Sequence, residues 1–116
     1  MISKLDNDNF DSTLTSIFEG GSVAVVFYGT ENCFNCQQTI DNIYFVLGKG
    51  NDSNTFFFHI DALECWIPEE RYSEISEMME YPRTIVYHGS FVDPDFYEGV
   101  VSIERIKEFQ NLSQKS

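Results

Sequence analysis

Apolar positions along the chain follow two periods, and these lay out the elements. Phe10, Leu14, Ile17 and Phe18 fall at i, i+4, i+7 and i+8, the spacing of a helix with one buried face. Polar residues at 6–9 supply N-cap candidates ahead of it, and Gly20-Gly21 stops it. Val23-Ala24-Val25-Val26-Phe27-Tyr28 is apolar on both faces, as a central parallel strand requires. Ile40, Ile43, Tyr44 and Leu47 return to helical spacing, and Gly48-Lys49-Gly50 ends that helix. A loop is expected over residues 51–54. Thr55-Phe56-Phe57-Phe58-His59-Ile60 then predicts a second buried strand. This completes a β-α-β unit, whose strands are parallel and whose crossover is right-handed.

The second half alternates in the same way. A connector over residues 61–67 carries Cys65 and Trp66. Pro68 suits the first position of a helix and Glu69-Glu70 its first turn. Tyr72, Ile75, Met78 and Met79 form the apolar stripe of that helix, with the methionines as core filling. Tyr81-Pro82 breaks it. Arg83-Thr84-Ile85-Val86-Tyr87 reads as a strand, His88-Gly89 as a turn, and Asp95-Phe96-Tyr97-Glu98 as a hairpin partner ended by Gly99. Ser102 caps a last helix with Ile103, Ile106 and Phe109 on one face. Residues 111–116 form a polar tail expected to fray. With a short edge strand at residues 2–5, the order is β-α-β-α-β-α-β-β-α. The fold class is therefore α/β, a central mixed β-sheet with helices on both faces.

Composition narrows this picture. A chain of 116 residues suits a single domain spanning 1–116. A domain of that size buries roughly two thirds of its unfolded surface and needs no staple to fold. The net charge is −12, with seven Lys and Arg in the whole chain. That balance repels nucleic acid and anionic membranes, so neither is expected as a partner. It leaves a solvated acidic surface, or a field that steers a basic partner protein. No apolar run approaches the ~18 residues of a membrane span. Met1-Ile2-Ser3-Lys4-Leu5-Asp6-Asn7-Asp8 lacks the apolar stretch of a secretory signal, which points to a reducing cytoplasm.

The candidate chemistry lies at Cys33-Phe34-Asn35-Cys36, between the first buried strand and the helix that follows. There the first thiol lands at a helix N-terminus, where unpaired N–H groups and the helix dipole favour an anion. The second lies about one turn further on, on the same face and within reach of the first. Such a pair can cycle between dithiol and disulfide with little backbone movement. In a reducing compartment, C-x-x-C beside a βαβ pattern reads as redox before it reads as a structural disulfide.

From this point the chain resembles the thioredoxin family over nearly its whole length. The resemblance rests on a strand running into Cys33-x-x-Cys36, a second strand, a helix, and Tyr81-Pro82 opening an antiparallel hairpin with Gly99 after it. It implies a thioredoxin-like fold and a thiol–disulfide oxidoreductase. It implies a cis peptide at Pro82, facing the cysteine pair, and a Tyr81 backbone that helps to hold the substrate strand. Phe34 and Asn35, between the cysteines, join Tyr81 and Pro82 as expected substrate-binding residues. The implied partners are disulfide-containing proteins and a thioredoxin-reductase-like electron donor. No cofactor and no metal are expected.

The departures are specific. Asn32 and Phe34-Asn35 stand where the common site has a Trp and Gly-Pro. Phe27 and Phe57 fall where the family often has a buried Asp and a Lys that aid proton transfer. Glu31 is the nearest acid by sequence and is expected to be solvated.

Cys33, nearer the helix terminus, is the expected nucleophile. Its thiolate attacks a substrate disulfide, and Cys36 resolves the mixed disulfide. A free thiol of pKa about 8.5 is only about 3% thiolate at pH 7. A helix terminus contributes at most about 2 kcal/mol, or about one and a half pKa units. No Lys or Arg lies between Lys4 and Lys49, although the fold could bring Arg83 near. Cys33 is therefore expected near the thioredoxin value of about 7, which favours a reductant.

Other readings weigh less. A zinc site from Cys33, Cys36, Cys65 and a His has only one close pair, where zinc sites usually bring two. Cys65 reads as an inert small residue, and His59 and His88 as structural. A glutaredoxin-like glutathione site would want cations that are scarce here. The non-enzyme alternative is a thioredoxin-fold binding or assembly module that keeps the cysteines without turning over.

Overall fold

Five strands form one mixed sheet in the order β1-β3-β2-β4-β5. The elements are β1 (Ser3–Leu5), α1 (Phe10–Glu19), β2 (Val23–Gly29), α2 (Phe34–Leu47), β3 (Thr55–Asp61), α3 (Ile67–Arg71), α4 (Ser73–Ser76), β4 (Arg83–Tyr87), β5 (Asp95–Glu98) and α5 (Ile103–Gln110). The computed structural model describes residues 2–50 and 53–114. The loop expected over 51–54 and the tail expected over 111–116 therefore lie partly outside the described residues. β1, β3 and β2 run parallel, while β4 and β5 are antiparallel to their neighbours.

The alternation of side chains along the central strands splits the core in two. Ala24, Val26 and Tyr28 face α1 and the short helices, with Phe10, Leu14, Ile75, Ile85 and Cys65. Val23, Val25 and Phe27 face α2 and α5, with Ile43, Val46, Ile106 and Phe109. Helices thus cover both faces, which is why the central strands read as continuous apolar runs.

Four expectations need correction. The helix expected from Pro68 through Met79 is two short helices, broken at Tyr72, whose backbone is extended at φ −127°, ψ 115°. That break turns the Tyr72 ring into an aromatic cluster, 5.3 Å from Phe96 and 6.3 Å from Tyr87. Met78 packs against the core as expected, but Met79 is 88% exposed and fills nothing. Its backbone has left the helix, and the amides of Met79 and Glu80 donate to Glu98 Oε2 at 2.7 and 2.8 Å.

The buried stripe of α2 is Thr39, Ile43 and Val46, with Ile40 and Leu47 packed beside it, whereas Tyr44 is exposed. A threonine hides in that stripe because its Oγ1 accepts a 3.1 Å bond from the Val101 amide. Counting only apolar residues therefore displaces the face. Phe56, in the strand read as buried, is 48% exposed, because β1 begins opposite Phe58 and leaves Phe56 beyond its end.

Candidate active site

The site forms where β2 ends and α2 begins. β2 delivers the chain to a short turn in which Asn32 sits at φ 55°, a left-handed conformation that Asn tolerates better than most residues. Cys33 then occupies the N-cap of α2 in an extended conformation. Its Sγ accepts a 3.1 Å hydrogen bond from the Cys36 amide, and its carbonyl accepts one from the Gln37 amide at 3.1 Å. The Cys33 sulfur does what a capping hydroxyl would do. It satisfies one of the free donors of the first turn, and the same donor would stabilise a thiolate. The Cα atoms of Cys33 and Cys36 are 5.2 Å apart, and their sulfurs lie at disulfide-bonding distance. Both residues are half-buried.

α2 is held as a platform for this pair. Thr39 and Asn42 clamp the Val101 amide and carbonyl, fixing the helix to the segment that leads into α5. The Ala62 amide donates to the Gly29 carbonyl at 2.7 Å and closes the ends of β2 and β3 together. Gly29 has a packing reason to be glycine: a Cβ there would stand 3.0 Å from Cys36 Sγ.

The Tyr81–Pro82 peptide is cis. Pro82 lines the same cavity as Cys33 and Cys36. The loop before it is pinned by Glu98, and the Gly99 amide donates to the Pro82 carbonyl at 3.0 Å. Tyr81 packs 6.1 Å from the Tyr28 ring and carries the Arg83 guanidinium 4.2 Å above its own. Phe34 is 79% exposed on the rim of the cavity, while Asn35 is half-buried and lies outside its lining.

The cavity measures about 610 Å³ and runs from the cysteine pair down to the sheet. Phe27 lines it, and its ring stacks on Phe57 with centroids 6.3 Å apart and planes 11° from parallel. Glu31 is exposed at the edge, as expected of a solvated residue. Arg83 does not supply the missing cation. It is buried away from the pair, bonded to Glu69 Oε1 at 3.2 Å and to the Met78 carbonyl at 2.7 Å.

Two basic side chains do line the cavity, Lys4 and His59, together with Asp61. Burial holds the His59 imidazole below its ordinary value, with Lys4 adding to the effect and Asp61 opposing it. The sequence pattern alone assigns His59 a structural role and none to Lys4 or Asp61. The signal that finds them is side-chain alternation: 57, 59 and 61 share one face of β3. Cys65 is buried on the other side of the sheet, where burial pushes its thiol up. His88 braces the hairpin through a 2.7 Å contact from Nε2 to Asp95 Oδ2, consistent with its structural reading.

A mixed five-stranded sheet, a C-x-x-C at the start of α2 and a cis proline across the cavity define a thioredoxin-fold protein. No protein-family model matches the chain, and no curated protein matches it in sequence. Among solved structures, a chloroplastic thioredoxin z with a type-specific mode of target recognition matches with a TM-score of 0.69. The match covers 92% of this chain and 88% of that one at 15% identity, a likeness that establishes the fold.

Proposed function

We propose that this chain, as a single thioredoxin-like domain, is a thiol–disulfide oxidoreductase that reduces protein disulfides. The observation that carries the reading is Cys33 as the N-cap of α2, with its sulfur already accepting a backbone N–H and Cys36 at disulfide reach. The Cys33 thiolate attacks one sulfur of a substrate disulfide, and the other leaves as a thiolate. Cys36 then attacks Cys33, forms the Cys33–Cys36 disulfide and releases the second substrate sulfur. Two electrons pass from the pair to the substrate. A thioredoxin-reductase-like donor in a reducing cytoplasm restores the dithiol. Phe34, Asn35, Tyr81 and Pro82 form the surface against which the substrate strand is held.

The apolar Phe27 in the cavity lining, backed by the stacked Phe57 ring, favours a second reading, a binding or assembly module that does not turn over. Insulin reduction driven by dithiothreitol separates the two. The oxidoreductase accelerates precipitation of the insulin B chain, Cys33→Ser abolishes the effect, and Cys36→Ser accumulates a mixed disulfide at Cys33. A wild-type rate equal to that of dithiothreitol alone refutes the enzyme and leaves the module.

A further inference from the structure

The resolving step needs the Cys36 thiol to lose its proton in a cavity whose wall includes Phe27, a side chain that cannot take it. The cavity offers another acceptor. Gly29 of β2 is paired with Asp61 of β3, and Phe27 with His59. Cys36 Sγ packs against the bare face of Gly29, 3.0 Å from where a Cβ would stand. His59 lies two residues from Asp61 on the same face. Strand geometry puts it diagonally about 8 Å from Gly29, Cα to Cα, from a spacing of about 4.8 Å and a two-residue rise of about 6.6 Å. An imidazole, or an imidazole and one water, spans that diagonal, and both Cys36 and His59 line the cavity between.

We infer that His59 accepts the Cys36 proton through this cavity when the mixed disulfide at Cys33 is resolved, an inference that rests on the thiol–disulfide reading above. The Cys36 S–H proton moves to a ring nitrogen of neutral His59. The thiolate forms the S–S bond to Cys33, and the substrate sulfur leaves with the electron pair of the broken bond. The imidazolium then returns its proton to solvent.

The surroundings keep the ring in its accepting form. Lys4 of β1 is paired directly with His59 and disfavours a second positive charge. The Lys4 ammonium is itself held by Glu64, at 2.6 Å. Asp61 of β3 pulls the other way. Glu31 faces the cavity from the turn before α2, where Cys33 and Cys36 are the titrating groups, and Phe27 of β2 supplies only an apolar wall. Burial and Lys4 together outweigh Asp61, so the imidazole is neutral at pH 7 and free to accept.

The test separates the two thiol steps. Reduced protein is mixed with an aromatic disulfide, dithiobisnitrobenzoate, in a stopped-flow instrument. The first thiolate released reports attack by Cys33, and the second reports resolution by Cys36. General-base assistance is worth about 10²–10⁴-fold. With solvent as a competing acceptor, His59→Gln is expected to slow the second phase at pH 7 by about tenfold or more. The first phase stays as it was, and the two proteins converge above about pH 10, where Cys36 ionises unaided.

A second phase unchanged from pH 6 to 10, or both phases slowed equally, overturns the inference alone. A wild-type protein with no second phase overturns the thiol–disulfide reading, and this inference with it. An independent readout uses unmutated protein. The His59 titration followed by NMR should differ between the dithiol and disulfide forms, and identical curves overturn the inference.

Discussion

Phe34 is the most exposed aromatic residue at the site, and its truncation tests whether the rim of the cavity binds protein substrates. It is 79% exposed in the free protein. Fully burying a Phe side chain is worth about 1.5–3 kcal/mol. Covering the exposed fraction in a complex is therefore worth about 1.2–2.4 kcal/mol, or about 7- to 50-fold at about 1.4 kcal/mol per factor of ten. Phe34→Ala should lower kcat/KM for reduction of a protein disulfide by that factor. A small disulfide, which reaches the sulfur without covering the ring, should be reduced at nearly the wild-type rate. Stability should hold within about 0.5 kcal/mol, because the side chain makes no core contact. The assay compares insulin with dithiobisnitrobenzoate in the same preparations. Equal losses on both substrates, or no loss on insulin, would refute the reasoning.

Gly29→Ala places a Cβ 3.0 Å from Cys36 Sγ. The disulfide pins that sulfur more than the dithiol does, so overpacking of about 1 kcal/mol should make the pair more oxidising by about 20 mV, measured against glutathione. Ile43→Ala removes a fully buried side chain of α2 and should cost about 2–5 kcal/mol in urea unfolding, while Tyr44→Ala on the exposed face should cost less than about 0.5. His59 predicts a pH effect as well. Its folded value lies below 6.5, so in the window beneath 6.5 the unfolded chain binds a proton that the folded chain does not. Stability contributed by keeping His59 neutral is thus complete above 6.5 and falls as pH drops toward the folded value. Urea midpoints at pH 7.5 and 5.5 should differ more for wild type than for His59→Gln, and equal slopes would contradict this.

Much of the fold is legible in the sequence because its strands are buried on both faces. Val23-Ala24-Val25-Val26-Phe27-Tyr28 has no polar side to misplace, and its neighbours follow from β-α-β chirality. The cysteine pair is legible for a local reason: the cap, the first turn and the spacing lie within four residues. The break at Tyr72 is not, because an aromatic cluster drawn from α1, β4, β5 and residue 91 overrides a helical pattern. The stripe of α2 shifts because Thr39 is buried by a partner 62 residues away. The floor of the cavity needs the register between strands. Apolar counting gives each strand a face, but not that Gly29 stands opposite Asp61, or Lys4 opposite His59.

The reduction potential of the Cys33–Cys36 pair tests the central claim most directly. Equilibration of the protein against dithiothreitol and glutathione buffers, with Cys33→Ser as control, should place it near about −270 mV, the range of a disulfide reductant. A value near about −120 to −180 mV, or a pair that does not cycle, would contradict the account.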